Sequence, residues 1–164
     1  MKVLKLELSQ YLDIPLEIQS IIKLSSRKVI FGETDSIPST YQVLQPGDDC
    51  SSINESSRYL YIQENSCNQN NITTFVLTNM DNLEEVRIGS YSFRNVEQVI
   101  IKNLASLRTV IFGSFSFNNQ PELYIPYLRP GTGIEIMNCP LLNRIEFESY
   151  SFGDFNSLVI KGRS

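Results

Sequence analysis

NMDNLEEVRIGSYSF, running from Asn79 to Phe93, recurs as NLASLRTVIFGSFSF from Asn103 and as NCPLLNRIEFESYSF from Asn138. All three copies keep Leu-x-x-(Val/Ile)-x-(Ile/Phe), two further residues, then an aromatic, Ser and Phe. Their starts lie 24 and then 35 residues apart. Self-similarity of this kind is the signature of a repeat architecture, in which each unit buries its apolar face against its neighbours.

Between the copies runs a second set of apolar pairs: Phe75/Leu77, Val99/Ile101, Ile134/Ile136 and Leu158/Ile160. It interleaves with the first set, Val86/Ile88, Val110/Phe112 and Ile145/Phe147, at alternating steps of 11 and 13 residues, broken once by a step of 24. Apolar residues at i and i+2 share one face of an extended strand, and the residue between them points away. Each unit of ~24 residues is therefore expected to hold two short parallel strands, one on each side, in a mainly β fold with little helix. The step of 24 residues encloses Leu123/Ile125, so the excess in the third copy has the size of one half-unit. Pro121, Pro126, Pro130, Gly131 and Gly133 make an irregular protruding loop the preferred reading of this insertion near 118–133, with an extra half-unit as the alternative. The inward set of the second copy is Val99, Ile101, Leu104, Leu107, Val110, Phe112 and Phe117. Its counterpart in the third is Cys139, Leu142, Ile145, Phe147, Phe152, Leu158 and Ile160. Asn79, Asn103 and Asn138 share one position, where stacked amides are expected to satisfy the backbone of buried bends. The Ser-aromatic-Ser-Phe tracts read as packed corners whose hydroxyls bond the bend. Glu148 stands where Gly89 and Gly113 stand in the other copies, which argues against an obligatory positive-φ glycine there.

The pattern Leu-x-x-Val-x-Ile-Gly-Ser-x-Ser-Phe, followed by Asn-Cys or Asn-Leu and the next Leu-x-x, resembles the leucine-rich repeats of the BspA-like type, found in bacterial surface proteins and protist protein families. Cys139, Leu104 and Met80 take the first position of that family pattern. The resemblance covers residues 57 to 162 and implies a leucine-rich-repeat solenoid. It implies a generic interaction surface and no particular partner.

Upstream the pattern decays. Arg58–Ile62 with Cys67 matches Val86, Ile88 and Phe93, the cysteine replacing the corner phenylalanine. Ser26–Gly32 resembles Leu107–Gly113, and Ile21-Ile22-Lys23 resembles Ile100-Ile101-Lys102. Residues 1–50 are read as a degenerate amino-terminal cap, with a separate small domain as the alternative, and residues 51–164 as the repeat body. Gln45–Glu55 is the expected loop. At the other end Gly162-Arg163-Ser164 replaces the next Asn and strand. The last unit is thus incomplete, and an uncovered edge there is expected to self-associate.

Net charge is −4 with 14 basic residues, none in a run longer than Arg27-Lys28. Nucleic acid, which requires clustered Lys and Arg, is not expected as a partner. No apolar stretch is long enough to span a membrane, and Met1–Glu7 is not a signal peptide. The chain is therefore expected to be cytoplasmic, and extracellular only if the true amino terminus lies upstream. Cys50, Cys67 and Cys139 form an odd, unpatterned set. The thiols of Cys67 and Cys139 are read as small core hydrophobes in preference to a disulfide. Asn54-Glu55-Ser56 and Asn71-Ile72-Thr73 match the N-glycosylation sequon but carry no weight without secretion.

Chemistry is sparse. With no histidine, the commonest general base and every Ser–His or Cys–His arrangement are missing. There is no C-x-x-C metal pattern. Glu84-Glu85 and Asp48-Asp49 read as solvated rim and loop, and Gly131-Thr132-Gly133 lacks the rest of a phosphate loop. No enzyme, metal or cofactor is expected. What remains is surface: the outward residues Tyr61, Arg87, Ile111 and Glu146 in one strand set, and Val76, Ile100 and Val159 in the other. The second set reads either as a partner-binding stripe or as a face covered by the insertion and the amino-terminal segment. The resulting expectation is a non-catalytic protein–protein interaction module. The alternatives are a structural or adhesive segment of a longer cell-surface protein, or the substrate-recognition arm of a larger enzyme.

Overall fold

A computed structural model describes residues 22–25, 40–51, 53–119 and 129–161, the first of these as backbone only. They form ten strands: β1 (Ile22–Ser25), β2 (Tyr41–Leu44), β3 (Tyr59–Ile62), β4 (Thr74–Thr78), β5 (Glu85–Ile88), β6 (Gln98–Lys102), β7 (Thr109–Phe112), β8 (Gly133–Met137), β9 (Arg144–Glu148) and β10 (Leu158–Lys161). There is no helix among the described residues. The fold is mainly β, built from two parallel sheets. The six-stranded sheet runs β1-β9-β7-β5-β3-β2 and the four-stranded sheet β10-β8-β6-β4. From β3 onward successive strands alternate between the sheets, as the 11/13 spacing predicts.

Equivalent positions pair in register. Leu60 lies opposite Val86, Val86 opposite Val110, and Val110 opposite Ile145. In the other sheet Phe75, Val99, Ile134 and Leu158 align in the same way. Alternate strand residues are buried, as in β3 and β5. All seven inward residues of the second copy are fully buried. In the third copy Ile145, Phe147, Phe152 and Ile160 are buried, while Cys139, Leu142 and Leu158 are only partly covered.

The corners explain the conserved tract. Tyr91, Phe115 and Tyr150 all have φ between 57 and 59°, and Phe93, Phe117 and Phe152 between 54 and 57°. Left-handed backbone costs an L-residue roughly 1–2 kcal/mol, so something must offset it. Ring stacking does so: Phe93, Phe117 and Phe152 stack at 5.0 and 4.6 Å with nearly parallel planes. The half-exposed Tyr91, Phe115 and Tyr150 form a second ladder at 5.1 and 5.0 Å. Corner N–H groups donate to the preceding copy, as Phe117 N–H does to Ser92 O at 2.9 Å and Phe152 N–H to Ser116 O at 2.9 Å. The hydroxyls contribute unevenly. Ser92 donates to Gln63 O at 2.8 Å, whereas the buried Ser66 and Ser116 hydroxyls bond nothing among the described residues.

Of two expectations about single positions, that for the asparagines changes and that for the glycines holds. Asn79, Asn103 and Asn138 are exposed rather than buried, and all have positive φ. Asparagine tolerates that conformation better than most residues, and one amide pair, Asn138 Nδ2 to Asn103 Oδ1, bonds at 2.9 Å. Gly89 and Gly113 serve close approach and not positive φ: a Cβ at Gly89 would lie 2.5 Å from Glu64 N. In the third copy the fully buried Glu148 instead accepts the Ser114 N–H at 3.0 Å and its hydroxyl at 3.1 Å.

The termini and the cysteines depart further from expectation. β1 does not sit beside β2. It pairs with β9, Ile22 opposite Ile145 and Leu24 opposite Phe147, so amino-terminal chain covers the β9 edge of the six-stranded sheet, while the edge expected to lie open is that of Leu158–Ile160. The four-stranded sheet still ends on β10. The match of Ser26–Gly32 to the repeat and the Leu123/Ile125 pair lie outside the described residues. The return of the insertion is described: Arg129 bridges to Phe155 and pairs with Asp154. Asn119 N–H, at the departure of the insertion, also donates to Asp154, at 3.2 Å.

Cys67 does occupy the corner position, with φ 60°, but it is disulfide-bonded to Cys50, overturning the reading of a buried thiol. The Gln45–Glu55 loop folds back and brings the two Cα atoms to 5.7 Å, a long-range contact that the repeat pattern does not encode. Only Cys139 is free, and burial pushes its thiol pKa up, away from the reactive thiolate. The bond closes a loop with a sequence separation of 17, for which the expected stabilisation is ~3 kcal/mol. Cys50→Ser should accordingly lower the unfolding free energy by roughly 2–4 kcal/mol in denaturant melts. Adding reductant should leave the variant unchanged and bring the parent chain down to it.

Candidate interaction surface

The two outer faces differ. On the four-stranded sheet, register places Val76, Ile100, Glu135 and Val159 in one row across β4, β6, β8 and β10. Neighbouring members stand one strand spacing apart, ~4.8 Å. Val76 is 44% and Val159 39% exposed, among the few large apolar side chains that face solvent, and Ile100 is half-buried. Glu135, in the copy with the insertion, interrupts the apolar row with a carboxylate. Thr78, Lys102, Met137 and Lys161 run along one flank. Of the row expected from the sequence, Val76 and Val159 face solvent and Ile100 is half-buried; most of the insertion and of the amino-terminal segment lies outside the described residues.

On the six-stranded sheet the expected row Tyr61, Arg87, Ile111 and Glu146 also aligns. Its members, however, are not all at the surface. Ile111 is fully buried and Glu146 is 4% exposed, so neither is available to a partner. Ile111 lies apart from the main core cluster, so this face is covered at β7 and β9. A strand's alternation predicts which way a side chain points, not what lies over it. Arg144 donates to Glu146 at 3.0 Å through Nε, which supplies the partner a buried carboxylate needs. Tyr61 and Arg87 are half-buried, with Arg87 held against Glu85.

Sequence reading overlooked the residues that complete this second face, because β2 carries no repeat signal. Tyr41 and Tyr59 pack with ring centroids 5.3 Å apart, and the Tyr41 hydroxyl donates to Glu85 at 2.8 Å. Burial, reinforced by that carboxylate, pushes the Tyr41 phenol up to about 12, so it stays a neutral donor.

A third feature is an open cleft of about 500 Å³ between residues 47–51 and 69–74, beside the disulfide. Its walls are polar and include Asp48, Ser51, Asn71 and Thr73. No cluster of metal-ligating side chains is found among the described residues. Among the described residues there is no helix long and apolar enough to cross a membrane. No protein-family model matches the chain, and neither the curated proteins nor the solved structures returned a match.

Proposed function

We propose that the chain is a non-catalytic protein-interaction module, a leucine-rich-repeat solenoid of the BspA-like type whose binding face is the outer surface of the four-stranded sheet. The observation that carries this reading is the outward row Val76, Ile100 and Val159 on one parallel sheet, with Val76 and Val159 exposed and Ile100 half-buried. Strands held in register present side chains at a fixed spacing, which suits an extended protein partner. The lysines at 102 and 161 add a positive margin beside the apolar row. On this reading, Tyr61 and Arg87 belong to a second, polar face, and no residue of the chain performs catalysis.

The test is a triple substitution, Val76→Asp, Ile100→Asp and Val159→Asp, assayed by retention of binding proteins on immobilised chain. Val76 and Val159 are exposed, and their substitution should move stability by no more than ~0.5 kcal/mol each. Ile100 is half-buried and the new carboxylates line up with Glu135, so the triple variant should melt earlier and is assayed well below its own transition. Partners retained by the parent and by Arg87→Ala should be lost from the triple variant. Equal retention by all three would remove this face from consideration. The disulfide favours a second reading, a segment of a longer cell-surface protein, because such bonds persist mainly in oxidising compartments.

A further inference from the structure

The sequence holds two Asn-x-Ser/Thr triplets, at Asn54 and Asn71, and both fall within five residues of the disulfide. Asn54 lies inside the loop closed by Cys50–Cys67, and Asn71 follows it. Both asparagines are exposed. The Asn54 Oδ1 accepts the Ser56 N–H at 2.9 Å, closing an Asx turn that occupies the amide oxygen and leaves the nitrogen outside that bond. Asn71 sits on the rim of the open cleft, and Thr73 beside it is exposed.

Their place in the fold is the second observation. Asn54 lies in the connection from β2 to β3, and Asn71 precedes β4 by three residues. β2 and β4 are the terminal strands of the two sheets at this end of the molecule. A terminal parallel strand carries unpaired N–H and C=O groups that recruit other chains unless they are blunted. At the other end β1 covers β9, but among the described residues nothing pairs with the outer edge of β4.

We infer that Asn54 and Asn71 are acceptors for N-linked glycans, and that the glycan on Asn71 shields the outer edge of β4. This rests on the cell-surface reading, since the co-reactant is a polyprenyl-diphosphate-linked oligosaccharide met only on the secretory route. In the transfer, Asn Nδ2 attacks the anomeric carbon, the N–C bond forms as the bond to diphosphate oxygen breaks, and the lipid diphosphate leaves. The proton lost from Nδ2 passes to a carboxylate of the transferase. No electrons are exchanged. Because both asparagines face solvent in the folded state, and the Asx turn at Asn54 engages its oxygen, a bulky polar substituent on either nitrogen disturbs no core contact.

The experiment secretes the full chain from a eukaryotic cell behind a signal sequence and follows gel mobility before and after a peptide-N-glycosidase. The parent should lose two mobility steps, Asn54→Gln or Asn71→Gln one, and the double variant none. Ser56→Ala and Thr73→Ala should reproduce the single losses while keeping each asparagine. Transfer precedes export, so cell-associated chain is scored too, and a variant that fails to fold still reports. An unshifted parent whose Cys50–Cys67 bond is mapped as intact would overturn the acceptor sites alone. Cys50 and Cys67 found reduced in thiol-blocked protein from its own cells would overturn the cell-surface reading and the glycans with it. Enzymatic removal of the glycans should raise self-association in sedimentation; an unchanged profile would overturn the shielding role.

Discussion

Phe117→Ala should lower the unfolding free energy by ~3–5 kcal/mol. The side chain is fully buried and stacks between Phe93 at 5.0 Å and Phe152 at 4.6 Å. Phe112 and Phe155 meet it edge-on, and Phe75 lies tilted against it at 6.0 Å. These rings come from three successive repeats and both sheets, so collapse around the void would have to move strands held in register. Phe115→Ala is the matched control. Its backbone has nearly the same φ, 57° against 54°, so any strain left by alanine is common to both variants. Phe115 is half-exposed, and truncation there opens a groove instead of a closed cavity, at roughly 1–2 kcal/mol. Paired urea melts with a common slope measure the difference. Equal losses would mean that the inner and outer ladders have been exchanged in the assignment of the repeat.

That assignment was legible because strand pairs two residues apart reveal their inward face without any knowledge of what packs there. Leu60, Ile62 and Cys67 were recognisable as a repeat by the same rule, although the cysteine stands where phenylalanine stands elsewhere. The rule is local, and its failures are all long-range. It aligned Ile21-Ile22-Lys23 with a strand of the four-stranded sheet, yet Ile22–Ser25 pairs with β9 in the six-stranded one. A short apolar run carries no record of which edge it will fill. It could not see Cys50 reach Cys67, because a loop free of repeat signal makes that approach. The candidate surface divided along the same line. Val76 and Val159 point outward and are open, whereas Ile111 and Glu146 point outward and are covered. Direction is written in the period of the sequence; cover is not.

Arg129→Ala should cost ~3–5 kcal/mol, the range for removing one partner of a buried ion pair. Asp154 is 4% and Arg129 15% exposed at the side chain. The guanidinium lies 3.1 Å from one carboxylate oxygen through Nε and 3.3 Å from the other through Nη2, which also donates to Val96 O at 3.1 Å. The Nε contact is poorly aligned for a hydrogen bond, so it acts there as charge against charge. Asp154 also accepts Asn119 N–H, and it therefore ties together the departure and the return of the inserted segment. Burial holds the Asp154 carboxyl above its ordinary range even with the arginine opposing it. A folded pKa above the unfolded one means that the native state binds the proton more tightly, so stability from this group is fully present below the unfolded pKa and falls as pH rises through the folded one. Without Arg129 the upward shift grows. The deficit of Arg129→Ala should then be largest near neutrality and shrink on acidification, as the stranded carboxyl becomes neutral. Arg129→Met with Asp154→Leu, which removes both charges, should recover most of the loss. A deficit below ~1 kcal/mol that does not change with pH would show a solvated surface pair, and would leave the insertion held by something other than Asp154.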